Sequence, residues 1–188
     1  MTLANKITFF RLLLIPVFCV LVYCYSPDAP GFRWAALLVY AVAAVTDVLD
    51  GWVARHFKQQ SRLGKRLDPT ADKLLINLGF VFLAANPHVI PGIPLWLPVL
   101  IVLRDIIVVI GALLLNAFVG PVIIKVRLLG KITTVVLNIT LLGTLLGVSF
   151  LPWLVGAATL AVLGSCGEYI YDGVWQLRLL KAQFHVKD

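Results

Sequence analysis

The chain is 188 residues long, 61% hydrophobic and only 13% charged, with a mean hydropathy of +0.97. That composition excludes a water-soluble domain, whose surface needs far more polar side chains than this chain supplies. The net charge of +7 does not indicate nucleic acid: the Lys and Arg residues flank apolar runs and so read as topology determinants, anionic-lipid contacts or phosphate ligands.

A membrane-spanning helix needs about 20 mostly apolar residues. The sequence predicts an all-α integral membrane protein with six transmembrane helices and a short interfacial N-terminal helix, all within a single domain over residues 1–188. The interfacial segment is 2–11, where apolar and polar positions mix. Span 1 follows over about 12–25, then a turn at Ser26–Gly31, and span 2 over about 32–55. Lys6 and Arg11 ahead of an apolar run imitate a secretory signal, but no small-x-small site follows, so span 1 is expected to stay uncleaved.

A basic connection leads to Asp68-Pro69, an N-cap followed by proline at the first helical position, which predicts a span 3 opening there and running to about 85. Span 4 occupies about 95–118, span 5 about 130–150 after a second basic connection, and span 6 runs from Pro152 to about 177, before a polar tail. Cys19, Cys24 and Cys166 lie in or beside apolar runs without metal-like spacing, as spare core thiols do. Gly143-x-x-x-Gly147 offers a close helix contact, within the chain or, in a homodimer, between two copies.

With both termini in the cytoplasm, the inner connections and the two ends hold fourteen of the sixteen Lys and Arg residues; only Arg33 and Arg104 lie elsewhere. This asymmetry predicts a multi-pass protein of the inner (cytoplasmic) membrane with the 2–3 and 4–5 connections inside.

Against this apolar background, Asp47, Asp50, Asp68 and Asp72 stand out, four of the nine acidic residues within 26 positions. Asp47 and Asp50 share a helix face, as do Asp68 and Asp72, and the 2–3 connection brings the two pairs to one side of the membrane. Four carboxylates beside hydrocarbon need counter-charge. A salt-bridge cap with Arg55, Lys58, Lys65, Arg66 and Lys73 would supply it. So would two divalent cations, for which an oxygen-only ligand set selects Mg²⁺ or Mn²⁺. Gly51, Ala54 and Gly64 leave room for a bulky ligand near the backbone, and Arg55 is placed to hold a phosphate oxygen. A small cation transporter is a third, more distant reading. Its carboxylates would belong near the bilayer midplane, whereas these gather at the cytoplasmic helix ends.

Asp47-x2-Asp50-Gly51-x2-Ala54-Arg55-x8-Gly64-x3-Asp68-x3-Asp72 resembles the signature of the CDP-alcohol phosphotransferase family at every specified position. The resemblance implies a metal-dependent transferase that faces the cytoplasm and cuts a CDP-linked lipid. Asp47, Asp50, Asp68 and Asp72 would hold the metals, with Asp72 also the general base. Gly51, Ala54, Arg55 and Gly64 would receive the donor, assisted by Asn5, Thr8 and Arg11, whose spacing also looks like that family. Ser61 offers its hydroxyl either to a donor phosphate or to a turn.

Within the family the chain is similar to two branches that use CDP-diacylglycerol, the phosphatidylglycerophosphate synthases and the cardiolipin synthases. Their acceptors are glycerol 3-phosphate and phosphatidylglycerol. Arg104-Asp105 and Thr133 depart toward the second branch. The cations Arg104, Lys125, Arg127 and Lys131, read as the acceptor site, favour glycerol 3-phosphate, and that acceptor is the expectation. Arg104 and Asp105, as direct neighbours on a helix, are each expected to find another partner.

Overall fold

The structure is a computed structural model that describes residues 3–56, 64–89, 92–119 and 128–185, with side chains described over 9–46, 71–89, 92–111, 113–114 and 128–173. Every regular element among the described residues is helical: α1 (Leu3–Tyr23), α2 (Gly31–His56), α3 (Gly64–Ala85), α4 (Trp96–Val119), α5 (Leu128–Leu146) and α6 (Leu151–His185). Two stretches, Leu128–Leu146 and Leu151–Gly173, are long and apolar enough to cross a membrane by length and composition; α1 and α2 carry shorter apolar stretches, Phe9–Tyr23 and Gly31–Thr46. The three cysteines are free thiols.

Three boundaries differ from those expected. The segment read as a separate interfacial helix is the first turns of α1, because no turn residue interrupts Leu3–Arg11. Pro16 lies within α1, at the cost of one ladder hydrogen bond. Helix α3 starts at Gly64, so Asp68 is inside the helix and does not cap it. Only the first four amides of a helix lack an internal acceptor, so Pro69 forfeits a single bond near an end where such losses are smallest. Helix α6 continues through the expected polar tail to His185, a rise of about 52 Å, longer than the ~30 Å hydrocarbon layer.

The chain divides into two compact units, Met1–Pro98 with Leu141–Leu151, and Val99–Thr140 with Pro152–Asp188. In the first, α1 packs on α2 and α3. Arg11, Ile15, Phe18 and Val22 form its buried stripe at helical spacing, while Phe9, Leu13, Val17 and Val20 form an exposed stripe that is equally apolar. A helix with apolar residues all round belongs among apolar surroundings on both sides. Phe18 meets the buried Tyr40 of α2 with ring centroids 5.7 Å apart. Gly79 lets α3 come close: a Cβ there would lie 2.7 Å from Leu141 Cδ1 and 3.1 Å from Phe18 Cε1.

Two side-chain clasps hold this unit together. Asn86, just past α3, is 6% exposed and donates through Nδ2 to the carbonyls of Val22 (2.7 Å) and Tyr25 (3.0 Å) at the end of α1; its Oδ1 accepts from the His88 amide at 2.8 Å. Arg33 of α2 donates to the carbonyls of Leu145 (2.6 Å) and Thr144 (3.0 Å), in the last turn of α5, and stacks over Tyr25 at 5.5 Å. A cation on the last carbonyls of a helix also complements its dipole.

Gly147, at φ +68°, ends α5: its amide reaches the Thr144 carbonyl (3.1 Å), and that of Val148 reaches Gly143 (3.1 Å). This is the double-bonded glycine cap of a helix terminus. The Gly143-x-x-x-Gly147 pair is therefore not the helix-contact face expected from the sequence. Its second glycine lies outside the helix, where the left-handed backbone requires it.

In the second unit, Val155, Ala158, Val162 and Ser165 make the buried stripe of α6, opposite the exposed Trp153, Leu160 and Leu163. Threonines of α5 tie the two helices together. Thr133 Oγ1 lies 2.8 Å from its own helix carbonyl at Leu129 and 2.9 Å from Ala161 of α6. Thr140 repeats the pattern with Val136 (2.8 Å) and Leu154 (3.3 Å). Each hydroxyl thus meets its polar demand in an apolar contact without a charge.

Candidate active site

The acidic stretch falls where two consecutive helices end and begin. Asp47, Asp50, Gly51, Ala54 and Arg55 lie in the last ten residues of α2, and Gly64, Asp68 and Asp72 in the first nine of α3. The side chains of all these except Asp72 lie outside the described set, and so does Ser61.

Register carries the next step. The buried positions of α2 are Ala36, Tyr40 and Ala43. Continued at the same spacing of three and four, that stripe meets Asp47, Asp50 and Ala54. In α3 the buried series Phe80, Ile76, Leu75 and Ala71 leads back, one turn further, to Asp68. In α1 the series Val22, Phe18, Ile15 and Arg11 leads back to Thr8 and then Asn5. The three candidate donor and metal segments are thus sequence continuations of helices in which α1 packs against α2 and α3.

Two described residues give this end its electrostatics. Asp72 is partly buried and lies within Coulombic reach of the hydroxyl of Tyr40, which is 1% exposed. Arg11 is also 1% exposed, a cation carried inward and engaged with its surroundings. A buried guanidinium requires opposite charge or hydrogen-bond acceptors close by. Tyr40 was not legible as a site neighbour, since a tyrosine in an apolar helix reads as core.

The second cluster is in the Val99–Thr140/Pro152–Asp188 unit and centres on Arg104 of α4, 9% exposed. Its Nη1 donates to Asp105 Oδ1 at 2.8 Å, so these neighbours pair, contrary to expectation, while each also has the further partner expected of it. Adjacent side chains diverge by about 100° around a helix, but the long arginine stem folds back across that angle. Nε donates to Ser165 Oγ at 3.2 Å, and the guanidinium lies 5.6 Å from the centroid of the Tyr169 ring.

Lys131 is exposed in the first turn of α5, whereas Lys125 and Arg127 lie outside the described residues. Thr133, read in the sequence as a departure toward the phosphatidylglycerol-using branch, is 1% exposed and committed to the α5–α6 contact. Ser165 and Tyr169, four apart on an apolar helix, are the polar pair that the sequence offered and that reading it missed.

An all-oxygen set of carboxylates is chemically suited to a divalent cation. Of the four aspartates, the side chain of Asp72 alone is described, partly buried and engaged with its surroundings.

Comparison with known proteins agrees with the motif. The family model for CDP-alcohol phosphatidyltransferase matches residues 1–164. Relatives named CDP-diacylglycerol--glycerol-3-phosphate 3-phosphatidyltransferase, from Escherichia coli K12, Escherichia coli O157:H7 and Shigella sonnei, are each 42% identical over 82 residues. That match covers 44% of this chain and 43% of each relative, so the chain aligns with less than half the length of the curated proteins it matches. With a family model over most of its length and the aspartate pattern complete at 47–72, the chain belongs to the CDP-alcohol phosphatidyltransferase family.

Proposed function

We propose that the protein transfers the phosphatidyl group of CDP-diacylglycerol to a glycerol-type acceptor, glycerol 3-phosphate, releasing CMP and forming phosphatidylglycerophosphate. The carrying observation is the complete aspartate pattern at 47–72, on the end of α2 and the start of α3, in a chain whose family handles CDP-linked alcohols. The relatives, named for transfer to glycerol 3-phosphate, support the acceptor.

The four aspartates would hold two divalent cations, Mg²⁺ or Mn²⁺, which when bound neutralise phosphate charge and polarise the phosphorus. Gly51, Ala54 and Gly64 leave space for the cytidine and ribose, and Arg55 orients the diphosphate. Asn5, Thr8, Arg11 and Ser61 complete the donor site. Asp72 takes the proton of the acceptor hydroxyl as its oxygen bonds to phosphorus and the bond to the CMP oxygen breaks. A carboxylate is a competent base once that hydroxyl is acidified in the site. Arg104, Lys125, Arg127 and Lys131 supply the positive charge for the acceptor.

A second reading, phosphatidylglycerol as acceptor, is favoured by one observation: Asp105 offsets the charge of Arg104, which suits a monoanionic diester better than a dianionic monoester. In either case the chain forms one six-span domain with both termini and the aspartates on the cytoplasmic side of the inner membrane. The apolar outer stripe of α1 and the exposed Trp34, Trp96 and Trp153 near helix starts support that placement.

Purified protein given Mg²⁺, CDP-diacylglycerol and each acceptor separately tests both readings. CMP release with glycerol 3-phosphate and a phosphatidylglycerophosphate product is expected, and release with phosphatidylglycerol alone would transfer the assignment to the second reading. Asp72→Asn should abolish release while CDP-diacylglycerol still binds; ordinary turnover by that variant would remove Asp72 as the base.

A further inference from the structure

We infer that the C-terminal extension of α6 is a contact surface for the headgroups of anionic phospholipids. The inference goes beyond the proposed transfer reaction and does not depend on it.

Helix α6 runs unbroken over Leu151–His185. Its apolar stretch Leu151–Gly173 alone rises about 35 Å, enough to cross the ~30 Å hydrocarbon layer. Residues 174–185 carry the same helix about 18 Å further. The headgroups on one side of a bilayer fill only about 5–8 Å beyond the hydrocarbon. Arg178 and Lys181 stand about 8 and 12 Å along the helix past Gly173, so both lie within a Debye length, about 8 Å, of that layer.

The register of the extension is one-sided. Arg178, Lys181 and His185 fall within about 60° of helical arc, and Leu177, Leu180 and Phe184 occupy the next such arc. Gln176 and Gln183 stand on the opposite side from the basic positions. A basic stripe beside an apolar one is the pattern of a helix that rests at a membrane surface. No Asp or Glu lies between Gly173 and His185, so neither Arg178 nor Lys181 has an acid three or four residues away. Their counter-charge therefore comes from outside this stretch of helix. A helix anchored in the bilayer keeps the stripe beside one surface at all times, the headgroup layer, and an anionic layer complements its charge.

The test measures amide hydrogen exchange over 177–185 in the full chain, without donor, acceptor or metal. Nanodiscs of phosphatidylcholine are compared with nanodiscs containing about one third phosphatidylserine, which is neither substrate nor product of the proposed reaction. Phosphatidylserine should slow exchange by up to about 30-fold, a factor of about five from each of the two cations. Sodium chloride at about 1 M, where the Debye length is about 3 Å, should remove the difference. Arg178→Gln with Lys181→Gln, which keeps good helix formers, should remove it too, and Arg178→Lys should retain it. Equal exchange of wild type in the two lipids overturns the inference, as does slowing that survives the double variant or high salt. Slowing in phosphatidylcholine that appears only with two chains per nanodisc would assign the surface to a second copy and overturn it as well. Failure of any of these leaves the transferase reading intact, and absence of CMP release would leave the lipid contact standing.

Discussion

Arg33 of α2 donates through Nε to the carbonyl of Leu145 at 2.6 Å, across 112 positions of sequence. The same side chain had been assigned by charge alone to the non-cytoplasmic side. Its bond gives it a structural role: it closes the last turn of α5 against the start of α2.

Arg33→Ala should therefore lower stability by about 2–3 kcal/mol, from two carbonyls losing a charged donor and from the lost stacking on Tyr25. Gly147→Ala should cost about 1–2 kcal/mol from its positive φ, and more because its new methyl would meet the Arg33 guanidinium. The double variant is expected to be less destabilised than the sum of the singles, which thermal melting in detergent can measure.

Asn86 is the second clasp, and its chemistry gives an order of severity. Asn86→Ala leaves the Val22 and Tyr25 carbonyls without their donor, at a cost of about 2 kcal/mol. Asn86→Asp at neutral pH should be worse than Ala, because it turns a carboxylate oxygen toward carbonyl oxygens. Equal melting temperatures for the two variants would remove the clasp.

Thr133 separates a packing role from a binding one. Thr133→Lys would place an ammonium at a 1% exposed position between α5 and α6, and destabilisation by several kcal/mol is expected. Thr133→Val should cost only about 1 kcal/mol and leave acceptor affinity unchanged. A raised KM for acceptor in a stable Thr133→Val protein would place the residue in the acceptor site.

Metal dependence tests the aspartates. EDTA should abolish CMP release, and Mg²⁺ or Mn²⁺ should restore it. Asp47→Asn and Asp50→Asn should each slow turnover by about 10³-fold or more, because several kcal/mol of charge stabilisation at phosphorus depends on the metals. Full activity in EDTA would leave a salt-bridge cap as the better account of the cluster.

The outer stripe of α1 tests lipid exposure. Leu13→Lys or Val17→Lys should cost about 2.5–3.5 kcal/mol in membrane insertion if these exposed positions face hydrocarbon near mid-span. Unchanged yield in the membrane fraction would place that stripe against something other than lipid.

How much of this was legible beforehand follows from the range of each interaction. Six helices came from runs of apolar residues, and the family came from the resemblance carried by the Asp47–Asp72 pattern; both are local patterns along the chain. Helix ends were less legible. Gly64, Gly147 and His185 as boundaries depend on caps, on tolerated prolines and on neighbours, where local preference is weak.

By itself, then, the sequence determined that this chain is a helical membrane-type protein with the family's aspartate pattern, since composition and spacing are properties of the chain alone. Only the tertiary structure decided what the isolated charges do. Arg33 caps α5, and Arg104 of α4 donates to Ser165 of α6. Each of those outcomes depends on helices far apart in sequence meeting at hydrogen-bond distance, and no spacing along one helix encodes which partner a long polar side chain will find.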